Sequence, residues 1–167
     1  TYLLANSHYE KIVDEKKDLQ SILFAKENFN KVLKNYPKTE YALDSEFKID
    51  LINDILAAKE MYLGRYYFDR KKWIPAINRF RTVIDEYDTT IYVEEALHRL
   101  VEVYYTIGLM NEAKKYAQIL GYNYKSSKWY EKSYTVFNKE YEKKRIKTEK
   151  KKKSFLSKAK SLFALDE

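Results

Sequence analysis

Apolar residues recur through most of positions 1–138 at the three- and four-residue spacing of amphipathic helices, and the interruptions fall in a regular pattern. Ile22, Ala25, Phe29, Val32 and Leu33 form one stripe. It ends at Asn35-Tyr36-Pro37, because the residue before a proline avoids the helical region. Positions 41–70 contain no breaker except Gly64 and predict one long helix, with Phe47, Leu51, Ile55, Ala58, Tyr62 and Tyr66 on one side. Positions 73–86 predict the next, with Ile77, Phe80 and Ile84 inward and Asp88-Thr89-Thr90 as its close. A helix over 93–106 follows, and Gly108 stands where a left-handed C-terminal residue relieves strain. Asn111 is placed to cap a helix over 112–120, Gly121 to end it, and 129–141 begins one more. The pattern reads as helical hairpins with short connectors.

The hairpins repeat. Leu63, Tyr67, Ala76, Ile84 and Tyr87 map 37 residues on to Leu100, Tyr104, Ala113, Gly121 and Tyr124, and only the Ile84 pair fails. Ala25, Phe29, Val32 and Tyr36 give a third copy of the second-helix half, beside Ala76, Phe80, Val83 and Tyr87. Leu63-Gly64-x-x-Tyr67 with Ala76 and Phe80 is the tetratricopeptide pattern, in which a small residue lets the second helix approach the first and an aromatic four residues on fills the gap. Ala25 to Ala76 is 51 residues rather than 34 to 37, so the long helix overshoots its hairpin and joins two sub-arrays. The expected fold is all-α, a tetratricopeptide-type solenoid of stacked hairpins with one long connecting helix over 1–138.

Composition narrows the function. Three Gly and two Pro in 167 residues argue against a β-sandwich or barrel, and zero Cys excludes thiolate metal sites, disulfides and cysteine nucleophiles. His8 and His98 are 90 residues apart, and no phosphate-binding glycine motif occurs, so no metal and no cofactor is expected. The net charge of +7 is local: residues 1–138 hold 21 basic and 20 acidic side chains, whereas 139–160 hold 11 and 3. A neutral body argues against a nucleic-acid-binding domain. Positions 139–153 read as a basic arm, helical or disordered, carrying Lys150, Lys151, Lys152 and Lys153. Positions 154–167 read as a short amphipathic helix with Phe155, Ala159, Leu162 and Phe163 on one face, suited to anionic lipid headgroups or a partner groove.

No residues suggest catalysis. Asp50 with Asp54, and Glu94 with Glu95, read as exposed-face charges, several with a cation at i+4. His98 shares a helix face with Glu102 and Tyr105 and reads as a packed or groove-lining residue rather than a general base. Tyrosine is abundant, 17 in all, and either fills seams between hairpins or builds a binding surface. The first helices of successive hairpins would offer Met61, Arg65 and Phe68, then His98, Glu102 and Tyr105. The Lys and Asn ladder of chaperone-tail receptors is missing.

The stretches AAKEMYLGRYYFDRKKWIPAINRFRTVIDEYDTT and VEEALHRLVEVYYTIGLMNEAKKYAQILG resemble the BamD/ComL family, tetratricopeptide lipoproteins of the bacterial outer-membrane β-barrel assembly machinery, of the alphaproteobacterial type. The similarity covers residues 20–137, and the Tyr-Tyr pair, Trp73, Asn78-Arg79 and EALHRLVE carry it. It implies a non-catalytic scaffold on the periplasmic face of the outer membrane. Its implied partners are the POTRA domains of BamA, other assembly-complex subunits and unfolded outer-membrane proteins. Arg79 beside Asn78 is the implied interface residue, since a guanidinium can pair with a carboxylate through two donors. The family's leader, lipobox cysteine and first two repeats are absent here, which implies a fragment whose lipid anchor belongs to a full-length parent. The basic tail departs from the family pattern. A cytosolic scaffold whose polybasic tail binds RNA or anionic membrane is the alternative.

Overall fold

The computed structural model describes residues 1–10 and 19–138, where all regular structure is helical. In chain order the helices are α1 Tyr2–Tyr9, α2 Leu19–Asn35, α3 Glu40–Asp69, α4 Trp73–Glu86, α5 Val93–Thr106, α6 Met110–Asn123 and α7 Lys128–Phe137. Successive helices pair as α1 with α2, α3 with α4 and α5 with α6, and the pairs stack through α2 on α3, α4 on α5 and α7 on α5 and α6. The result is an all-α array of tetratricopeptide type. Among the 30 residues of α3, the C-terminal half pairs with the 14-residue α4 while the N-terminal half meets the first hairpin. It is the connecting helix that the unequal repeat spacing requires. The basic arm over 139–153, with Lys150 to Lys153, and the amphipathic segment over 154–167 lie outside the described residues.

The array coheres through a main core, in which Phe29, Ile52, Met61, Phe80 and Leu100 are fully buried, and a smaller cluster of Val93, Leu97 and Leu120, with Ile84 and Tyr116 packed against both. Burial of each such side chain contributes about 1.5–3 kcal/mol. Gly64 has a specific reason to be glycine: a Cβ there would lie 2.4 Å from Cε1 of Phe80, so the ring already fills the space. Helix ends follow local chemistry. Thr39, in extended backbone, accepts the Ala42 N–H at 3.2 Å and caps α3. Gly108 adopts φ +83° just beyond α5, a conformation that glycine enters without strain.

Four expectations change. The side of α3 that carries Phe47, Leu51, Tyr62 and Tyr66 is exposed, with Ile55 and Ala58 only half-buried. The packed side holds Ile52, Leu56 and Met61 together with the small residues Ala42, Ser45, Ala57 and Gly64, which let the neighbouring helices approach. Helix α6 starts at Met110, with Leu109 and not Asn111 at its cap, because the Leu109 and Met110 N–H groups bond back to Tyr104 and Gly108 and turn the chain early. Gly121 lies inside α6, packed beneath Tyr130, whose Cε2 is 2.7 Å from where a Cβ would stand. The short helix α1, which has no clear apolar stripe in sequence, precedes the predicted elements.

Candidate partner-binding face

The first helices of successive hairpins, α3 and α5, and then α7, lie side by side, and their polar side chains join into one ladder. Nη1 of Arg65 donates to both oxygens of Glu95 at 2.9 and 3.0 Å. From the other side, Nε of Arg99 lies 3.5 Å from Glu95, and its Nη1 donates to Glu102 at 2.7 Å. Glu102 lies 3.5 Å from Nε2 of His98, whose Nδ1 is 2.8 Å from the Ser133 hydroxyl of α7. Aromatic rings flank the same line. The Arg99 guanidinium is 5.5 Å from the Phe68 ring and 5.9 Å from Trp129, Lys132 lies 3.9 Å over Trp129, and Tyr105 meets Phe137 edge-on.

Sequence spacing accounts for this placement. Glu95, Arg99 and Glu102 fall four and three residues apart, so they stack on one face of α5, and Glu94 and Glu95 in its first turn complement the helix dipole. Burial pushes the Glu102 carboxyl upward, but hydrogen bonding and charge from His98 and Arg99 outweigh it and hold the group below the usual carboxylate range. Two arginines and two glutamates alternate, so much of the cationic charge is already neutralised within the ladder. Ser133, His98 and Glu102 follow the order of a hydroxyl, base and carboxylate, yet Ser133 is 1% exposed and His98 3%. Their bonds tie α7 to α5.

The structure brings Arg65, Phe68, His98, Glu102 and Tyr105 onto this ladder. Asn78 and Arg79 stand apart on α4. Nη1 of Arg79 donates to both oxygens of Glu60 at 3.3 and 3.0 Å, and no described group engages its Nε or Nη2, on a side chain 42% exposed. Glu60, Glu95, Arg99, Trp129 and Ser133 escape the sequence reading. Glu95 is not an ordinary exposed-face charge, since it sits between two arginines, and Glu94 accepts the Ser127 hydroxyl. The i+4 spacing of Glu95 and Arg99 was the available signal, but the same spacing occurs in solvated pairs such as Glu27 with Lys31. Of the tyrosines, Tyr104 and Tyr116 stack within the α5–α6 hairpin, whereas Tyr122 is almost fully exposed.

A family model described as "YfiO: Outer membrane lipoprotein" matches residues 1–120. The chain is 50% identical over 135 residues to the outer membrane protein assembly factor BamD of Rickettsia prowazekii, covering 81% of this chain and 54% of that protein. It is 44% identical over 137 residues to the BamD of Caulobacter vibrioides, covering 82% and 45%. A BamD of Neisseria meningitidis serogroup A is 32% identical over 99 residues, covering 59% and 37%. The chain spans about half the length of the first two of these curated relatives.

Proposed function

This chain belongs to the YfiO family of outer membrane lipoproteins, the BamD family, and from that premise we propose that it is a non-catalytic scaffold in outer-membrane protein assembly. In this reading the protein is held by a lipid anchor at the periplasmic face of the outer membrane. It binds the POTRA domains of a BamA-type protein and other assembly-complex subunits, and helps deliver unfolded outer-membrane proteins for β-barrel insertion.

The observation that carries the reading to a contact is the half-satisfied guanidinium of Arg79. Glu60 holds Nη1 and so fixes the side chain's direction. The Nε and Nη2 edge, engaged by no described group on a side chain 42% exposed, offers two parallel donors, the geometry that a partner carboxylate accepts. Asn78, exposed beside it, adds amide groups at the rim. The ladder of Arg65, Phe68, His98, Glu102 and Tyr105 supplies a second, broader surface. Its charges are internally paired, so it favours aromatic and amide contacts over a lone carboxylate.

Arg79→Glu is expected to weaken association with a POTRA fragment at least tenfold, about 1.4 kcal/mol, at unchanged helicity. Equal affinity would rule Arg79 out of the interface. Retained binding after substitution of both Arg79 and the ladder residues would remove these two surfaces from the contact.

A further inference from the structure

The turns at one edge of the array carry chemistry that the scaffold role does not use. Because the connectors are short, α3 and α5 run in one direction and α4 and α6 return, so the α3–α4 and α5–α6 turns lie at the same end. They are built alike. The Lys71 and Lys72 N–H groups bond to the carbonyls of Phe68 and Tyr67 at 2.8 and 2.9 Å. In the next hairpin those of Gly108 and Leu109 bond to Tyr105 and Tyr104 at 3.1 and 2.8 Å. Both central residues are left-handed, Lys71 at φ +57° and Gly108 at φ +83°. Lysine accepts strain there that glycine avoids, and what it adds is a charge.

The surfaces of the two turns are complementary halves. The first exposes Arg70, Lys71 and Lys72, none paired with a described carboxylate, and Arg70 lies 3.6 Å over the Tyr66 ring. The second exposes Ile107, Leu109 and Met110, and Ile74 beside the first turn is 73% exposed. Positions 69–75 and 106–115 together hold five basic and two acidic residues, whereas the α4–α5 connection at the opposite end, positions 85–94, holds four acidic and no basic ones. We propose that the edge formed by these two turns rests on an anionic membrane surface, with Lys71 and Lys72 among the headgroups and Ile74, Ile107, Leu109 and Met110 entering the interface. An acidic protein surface would pair the cations but leave apolar tips spread over two turns in water. A lipid interface takes both at once, and it repels the acidic end. A lipid anchor holds a protein near a bilayer without fixing which side faces it. This edge fixes the orientation, a consequence that rests on the anchored reading above, while binding of the edge to lipid does not.

The chain contains no cysteine, so a single labelled thiol reports without background. In the full chain, Leu109→Cys carrying a nitrobenzoxadiazole dye is expected to brighten severalfold and shift to the blue on phosphatidylglycerol vesicles, and to lose that response in high salt. Tyr122→Cys, near the far end of α6 and 91% exposed, should stay unchanged. Equal responses at the two positions, or none at Leu109, overturn the proposal, because binding through another part of the chain leaves Leu109 in water. An equal response on phosphatidylcholine vesicles removes the anionic surface, and brightening with protein concentration alone assigns the edge to a second copy. A further variant tests the cations. Lys71→Gly with Lys72→Gln keeps the turn, as Gly108 does in the next hairpin. The melting temperature should equal or exceed the parent's while the Leu109 response weakens severalfold, and an unchanged response would mean that these lysines do not hold the edge. Loss of POTRA binding would leave the vesicle result standing, and the reverse, so the two readings fail separately.

Discussion

The two hairpins α3–α4 and α5–α6 solve one packing problem with opposite residues. Where the first sets Gly64 on its leading helix against Phe80 on its second, the positions 37 residues on are Val101 and Ala117. Bulk has moved from one helix to the other. The same exchange occurs one seam later. Ile84 lies in the cluster formed around Val93, and their counterparts are Gly121 and Tyr130, with the tyrosine ring on the glycine. What the repeat preserves is filled volume, and identity at any one position is free if its neighbour compensates. The seam of Gly121 with Tyr130 borders open space. Between α6 and α7 a groove of about 240 Å³ remains, lined by Ala117, Gly121, Tyr130 and Phe137 among others.

The strongest break of this comparison is at the tighter seam. Phe80→Ala should cost about 3–5 kcal/mol in urea unfolding, the range for a fully buried phenylalanine. Gly64→Val alone should cost about 1–3 kcal/mol, because the ring leaves no room for a side chain. Combined, they rebuild the Val101 and Ala117 arrangement of the next repeat. The double variant should then be less destabilised than the two losses together by at least about 1 kcal/mol. Additivity within about 0.5 kcal/mol would show that volume exchange is not what relates the repeats.

Alanine at the two glycines sharpens the contrast at lower cost. Gly64→Ala meets a fully buried ring and should lose about 1–3 kcal/mol. Gly121→Ala meets the edge of Tyr130, which is only half-buried and can swing toward the groove. Alanine also favours a helix interior over glycine by about 1 kcal/mol. The Gly121 variant should therefore lie within about 1 kcal/mol of the parent in thermal melts, and a loss equal to that at Gly64 would contradict the looser seam.

The array itself was legible in sequence because its signals are local. Leu63-Gly64, Ala76 and Phe80 mark where two helices come closest, Pro37 and Gly108 mark where helices stop, and the 51-residue offset marks the long helix. The orientation of α3 was not legible, since both its sides carry apolar residues. Phe47 and Leu51 outweigh Ala42, Ser45 and Ala57 on any hydrophobicity count, yet small residues are what close approach selects. Gly121 reads as a stop for the same reason that it is useful inside α6: the missing side chain is claimed by Tyr130, nine residues away. The ladder was half legible. His98, Glu102, Arg65 and Phe68 were recognisable as residues of first helices, but only the stacking of α3 beside α5 turns Glu95 from a surface charge into the bridge between Arg65 and Arg99.

The smallest expected effect tests whether that bridge, unlike the apolar seams, depends on pH. The Glu102 carboxyl is held below the usual carboxylate range in the folded chain by His98 and Arg99, against the opposing pull of burial. A group whose folded value is depressed stabilises the fold above its unfolded value, and that stabilisation disappears as pH falls through the folded one. Acidification from pH 6 to below the ordinary glutamate range near 4.3 should therefore loosen α5 from α7. Glu102→Gln keeps the side chain's shape but removes its titration. Its melting temperature should fall less steeply with acid than that of the parent, by the equivalent of no more than about 1 kcal/mol, the range of partly solvated ion pairs. Phe80→Ala should keep the parent's acid slope, because its defect carries no proton. Parallel curves for the parent and Glu102→Gln would mean that packing of Trp129 and Tyr130, and not the ladder's charge, holds α7 in place.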